Sequence, residues 1–179
     1  MRFAHDTEPA LRAAVRLVNS AEEPDTMTTL AQLREFYRDE GYTGRAPRGA
    51  DDLAAVRDLR PRLRALLTAD RDHAAKLVNE VFTEVATQPR LVRHDDLDWH
   101  LHMVEDDSPL AVRVLVETAT AMVDLIRADE FSRLSLCAAD DCTGVVLDLT
   151  RNRSKIFCSP ACSNGAAVAA YRERRRRAD

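Results

Sequence analysis

Four cysteines, Cys137, Cys142, Cys158 and Cys162, fall within 26 residues of a 179-residue chain that contains no other cysteine. Their spacing is Cys-x4-Cys, fifteen residues, then Cys-x3-Cys. Two short-spaced thiol pairs a hairpin's length apart match the needs of a tetrahedral Zn²⁺, each pair forming one knuckle. Four thiolates select a soft or borderline metal and close its coordination shell, so the predicted site is structural rather than catalytic. On spacing alone, an iron–sulfur cluster and four independently buried cysteines stay open as alternatives.

The flanking residues give the module a shape. Val145-Val146-Leu147-Asp148-Leu149 reads as a strand. After Cys158, Ser159-Pro160 offers an N-cap and then a proline in the first turn, so Cys162 projects from the start of a C-terminal helix. A knuckle, a hairpin and a helix that supplies the last ligand describe a treble-clef-like finger.

Upstream, the chain reads as helix. Leu11, Ala14, Val15 and Val18 share a helical face, and Leu30, Leu33, Phe36 and Tyr37 form a second short one. The glycines of Glu40 to Gly49 mark a loop. From Asp51 the apolar residues again keep helical spacing, with Pro61 either kinking one helix or opening another. Asp70 caps a helix whose stripe runs from Ala74 to Val85. Around 91–104 the period drops to two, which predicts a hairpin with Trp99 in the core and His100 and His102 facing solvent. Its acidic neighbours, Asp95-Asp96 and Glu105-Asp106-Asp107, read as solvated turns. Ser108-Pro109 then opens a helix through about Arg127, buried along Leu110, Val114, Leu115, Thr118, Met122, Val123 and Ile126. The expected fold is thus mainly α with a small β-hairpin: a helical domain over 1–130, then a four-cysteine zinc finger with a basic C-terminal helix over 131–179.

Apolar residues make up 45 % of the chain and charged residues 31 %, enough for a buried core and against wholesale disorder. No apolar run approaches the ~18 residues of a membrane span. The start, Met-Arg-Phe-Ala-His-Asp, has no hydrophobic signal segment, so a cytoplasmic location and no membrane partner are expected. The 24 arginines against two lysines point to a GC-rich, bacterial genome. Charge is uneven. Residues 151–179 carry eight Lys/Arg against Glu173 and Asp179, a balance of +6, while the rest of the chain carries −10. An acidic body with a basic end signals a nucleic acid or an acidic partner.

Cys137-Ala-Ala-Asp-Asp-Cys142, then Leu147-Asp148-Leu149-Thr150-Arg151-Asn152-Arg153-Ser154, then Phe157-Cys158-Ser159, closely resembles the CGNR zinc-finger family. In that family the finger follows a helical domain of the ABATE type, whose early Leu-Val-Asn-Thr element is similar to Leu17-Val18-Asn19-Ser20 here. The resemblance implies a transcription regulator that contacts DNA through its finger. The signature itself reads Cys162-Ser163-Asn164-Gly165, and Ala167 stands where a lysine is usual, so two positive charges of the family pattern are absent. All four ligand positions remain. Asp148 matches a family residue and is expected to hold its loop by pairing with Arg151 or Arg153.

Two functional classes follow. In the first, the protein is a DNA-binding regulator. Its helical domain senses a small-molecule effector or forms a homodimer, and its finger presents Arg151, Arg153, Lys155, Arg172, Arg174, Arg175 and Arg176 to phosphate. Asn164 is then placed for a base edge, or else for local capping. In the second, the finger is purely structural and the arginines dock on an acidic protein. No Walker loop, dinucleotide fingerprint, nucleophile elbow or HExxH motif is present, so the chain is not read as an enzyme.

Overall fold

The architecture was obtained as a computed structural model that describes residues 3–93 and 99–178. Five helices among them build the body: α1 (Thr7–Asn19), α2 (Leu30–Asp39), α3 (Ala50–Thr68), α4 (Arg71–Val85) and α5 (Leu110–Ala128). Two of their starts follow directly from sequence. Thr29 accepts the Gln32 amide while the Gln32 side chain takes the Thr29 amide, a reciprocal capping box. Asp70 accepts the His73 amide at 2.9 Å. Helix α5 is the hub. Buried residues on several of its faces, among them Val114, Val116, Ala119, Met122 and Leu125, meet α1, α3 and α4. Each such aliphatic side chain removed from water contributes about 1.5–3 kcal/mol.

Pro61 neither ends nor restarts a helix, since α3 runs unbroken from Ala50 to Thr68. Proline removes an amide, which leaves the Arg57 carbonyl one turn back without its helical donor. The side chain of Arg60 fills in, its Nε donating to that carbonyl at 3.3 Å. Arg60 is itself buried, and its guanidinium grips both Asp25 oxygens at 3.0 and 3.1 Å. That fork holds the Asp25 carboxylate below its ordinary range.

The predicted hairpin exists, but its faces are exchanged. Strands β1 (Arg90–Val92) and β2 (His100–His102) pair antiparallel, with Leu91 opposite Leu101. Trp99 is 56 % exposed, with the Arg93 guanidinium over its ring at 5.5 Å, whereas His100 is 7 % exposed and buried. Period-two alternation fixes which residues share a face, not which face is inside. Here the inner side is a hollow bounded by α1 and α5, and it takes the histidines: His102 lies 3.1 Å from His100 (Nε2 to Nε2) and 2.9 Å from Asp106. Of the acidic turns, Asp95-Asp96 lies outside the described residues, while Glu105 pairs with Arg90 and Asp106 with His102. Helix α5 also begins one residue late. Pro109 is its N-cap, with extended backbone, and the Ser108 carbonyl accepts from the buried Arg113.

After a 3-10 turn at Phe131–Arg133, strands β3 (Leu134–Leu136) and β4 (Val145–Leu147) pair antiparallel, and α6 (Pro160–Ala178) follows. Val145 and Leu147 are buried in the same apolar cluster as α1 and α3. Strand β4 is therefore the seam between body and finger. No helix among the described residues is long and apolar enough to cross a membrane.

Candidate metal centre and basic helix

The first knuckle, expected ahead of the hairpin, is instead its connecting loop. Cys137 follows β3 directly, Cys142 precedes β4, and the Cys137 amide donates to the Gly144 carbonyl at 2.8 Å. Cys158 and Cys162 come from the mouth and first turn of α6, where the Ser159 hydroxyl accepts the Cys162 amide at 3.2 Å. The fold brings all four together, their sulfurs lying within 4.8 Å of one another. Among the described residues this is the one set of three or more His, Cys, Asp or Glu donors so gathered.

The surroundings suit a thiolate shell. Backbone amides of Gly144 and Cys158 donate to the sulfurs of Cys142 and Cys137, each at 3.4 Å. For Cys137, burial opposes ionisation, but the amides of Ala139 and Cys158 outweigh it and bring the thiol down to about 7. Cys158 moves the other way: burial and its three sulfur neighbours push its thiol well up. Crowded thiols resist a second and third negative charge unless a cation compensates them. Four soft donors in a closed cluster fit a tetrahedral metal ion. Gly144 has a steric task here. A Cβ at that position would stand 2.9 Å from the Cys158 sulfur and 3.3 Å from that of Cys142.

The loop between the knuckles is wired by Asp148, though not through the arginines expected. Its buried carboxylate accepts the Thr150 amide and hydroxyl at 2.8 and 2.6 Å and the Lys155 amide at 2.7 Å. Burial works against its charge, and these bonds overcome it, holding the carboxyl below its usual range. Arg153 pairs elsewhere, with Glu130 at 2.7 Å and the Ser132 hydroxyl at 2.6 Å, while the Lys155 ammonium donates to the Leu147 carbonyl at 3.2 Å. Arg151 is exposed. The carboxylate of Glu130 also takes Arg133, whose guanidinium reaches the Asp148 carbonyl.

Among the described residues, helix α6 makes few contacts with the body and buries none of its side chains fully. Asn164, Val168, Tyr171 and Arg175 recur at i, i+4, i+7 and i+11, one exposed face flanked by Arg172 and Arg176. Arg174 is exposed as well, and Arg177 pairs with Glu173 at 3.0 Å.

The most informative contact missed by sequence reasoning joins the two ends of the chain. The Asn19 amide group donates to the Val145 carbonyl at 2.8 Å and accepts the Val145 amide at 2.7 Å. It thereby finishes the open edge of β4 as another strand would. Beside it, the Thr143 hydroxyl donates to Glu22, and Arg64 reaches the Thr143 carbonyl. The Leu17-Val18-Asn19 element is the signal from which this contact could have been found.

The profile described as "Putative stress-induced transcription regulator", ABATE, matches residues 11–129. That of the CGNR zinc finger matches residues 133–175. No curated protein matches the chain. A helical body clamped by Asn19 onto a four-cysteine module matches both halves of that architecture, and the chain belongs to the ABATE family, with a C-terminal CGNR zinc finger.

Proposed function

We propose that this protein is a DNA-binding transcription regulator in which a structural Zn²⁺, held by Cys137, Cys142, Cys158 and Cys162, orients a basic helix toward phosphate. The observation that carries this reading is the junction of sulfur cluster and helix. The module 151–179 holds +6 and the rest −10, so phosphate is drawn to one end of the molecule and repelled by the other. At that end α6 springs from the cluster with every face accessible and carries Arg172 and Arg174 to Arg177. When bound, zinc supplies no reaction; it fixes the angle at which α6 leaves the knuckle. Arg151 adds to this surface from the loop. Arg153 and Lys155 act mainly by bracing that loop, given their bonds to Glu130, Ser132 and Leu147. The stripe Asn164, Val168, Tyr171 is the part of α6 with side chains suited to a groove.

The test is a mobility shift on duplex DNA across a salt series. Deleting residues 172–179 removes five arginines and should weaken binding alike on all sequences. The slope of log affinity against log salt should flatten by about 3–4, since each phosphate contact contributes ~0.9. Unchanged affinity and slope would overturn the DNA reading. The helix would then stand as a docking surface for an acidic protein.

A further inference from the structure

The hollow behind the hairpin has a volume of about 440 Å³ and is enclosed by α1, α5, the segment around Tyr42 and strand β2. Part of its wall is small and apolar, from Ala13, Val116 and Ala121. Among the polar side chains of the lining, the Glu117 carboxyl and the Tyr42 hydroxyl make no hydrogen bond to the described residues. The Tyr42 ring is held in place against Phe36 and Tyr37, with ring centroids 5.8 and 6.4 Å away. Asp6, the residue before α1, also lies in the lining and makes no side-chain capping bond, while the other three carboxylates are engaged. Glu40 accepts from Arg16, Asp106 from His102, and Asp124 from the Thr7 hydroxyl. Arg113, the one Lys or Arg among the described residues of the lining, donates to the carbonyls of Ser108, Thr43 and Arg45.

We propose that this cavity binds a small organic cation, an amine with an apolar body, whose ammonium group is received by Glu117 with Tyr42 beside it. An apolar hollow with a few convergent polar groups is the usual form of a small-molecule site. The carboxylates favour positive charge, while the guanidinium that would attract an anion is committed to backbone carbonyls. A bare metal ion fits poorly. The volume far exceeds one ion, and the only described donors gathered tightly enough for one are the four cysteines. Without a ligand, burial raises the Glu117 carboxyl to about 7, against the pull of Arg113. A bound ammonium would restore its charge in a place where water cannot solvate it well.

Trp99, the single tryptophan of the chain, lines this cavity while remaining half exposed, so its fluorescence reports on occupancy. The full-length protein is titrated with phenethylammonium, with the similarly shaped neutral 2-phenylethanol, with the anion 3-phenylpropionate and with Ca²⁺. The expected result is saturable binding of the amine, at least tenfold tighter than the alcohol or the anion. Glu117→Gln should cost the amine at least tenfold and leave the alcohol unaffected. Tyr42→Phe keeps the ring packing and should weaken the amine severalfold, which preserves the test if Glu117→Gln does not fold. Four outcomes overturn the proposal: no saturable binding of the amine, equal affinity for the three organic probes, preference for the anion or Ca²⁺, or amine binding indifferent to both substitutions. None of these outcomes bears on DNA binding, so the two readings fail separately.

Discussion

Body and finger are held together by different physics. The body buries a continuous aliphatic core around α5, in which single contacts are replaceable and the sum is large. Residues 131–178 have almost no such core. Their buried apolar side chains are Cys137, Val145, Val146 and Leu147, and two of these belong to the cluster shared with α1 and α3. The finger relies instead on directed contacts: four sulfurs, the carboxylate of Asp148, the Glu130 fork and the amide of Asn19. A core of the first kind degrades gradually under substitution. A network of the second kind fails at single atoms, because each buried polar group left alone costs its full desolvation.

The sharpest way to separate the two is Cys158→Ala. Structural zinc sites contribute ~10–16 kcal/mol of apparent binding energy coupled to folding, so residues 137–165 should lose hydrogen-exchange protection and the protein its metal. Helices α1, α3, α4 and α5 should keep their protection, since their core is elsewhere. Loss of protection in α5 as well would mean that body and finger fold as one unit. Elemental analysis of chelator-free wild type should give one zinc per chain, and iron in its place would favour iron–sulfur chemistry.

A pH series should drive the two regions in opposite directions. Glu117 rises from an ordinary 4.5 to about 7 in the fold, so between those values the folded body keeps a proton that the unfolded chain releases. Body stability therefore falls as pH climbs from about 4.5 to 7, by roughly 3 kcal/mol, and is level above. Asp6 and Tyr42 share this environment with Arg113. Metal affinity runs the other way, because thiol ligands must lose their protons. Denaturant melts of wild type and Glu117→Gln check the first, and the variant should lose most of the slope. Zinc competition titrations check the second.

The smallest of the three effects probes the seam. Asn19→Ala leaves the amide and carbonyl of Val145 without partners at a buried strand and should cost about 2 kcal/mol. The loss should appear as faster exchange in β3–β4, with α4 unaffected. Equal loss throughout would mean that Asn19 stabilises the body and not the junction.

How far this is legible from sequence depends on the range of the interaction. The helices and their caps at Thr29 and Asp70 are local, and so are the cysteine pairs, whose spacing encodes the knuckles directly. What escapes is long-range. The buried guanidiniums of Arg60 and Arg113 look like any of 24 arginines until Asp25 and the carbonyls of Thr43 and Arg45 are folded onto them. The hairpin emerges from sequence with its faces exchanged, because apolar Trp99 and Leu101 outvote the histidines in any pattern blind to the cavity. Asp148 is recognisable as a loop anchor but not by its partners, since backbone donors leave no mark in sequence.

The clamp between Asn19 and Val145 spans 126 positions. During synthesis at ~5–20 residues per second, α1 emerges roughly 6–25 s before the strand it grips. For that interval the end of α1, with the apolar surface destined for Val145 and Leu147, is without its final cover. The clamp therefore closes late in translation, and a ribosome that stalls between the helices and the first cysteine holds a body whose seam is still open.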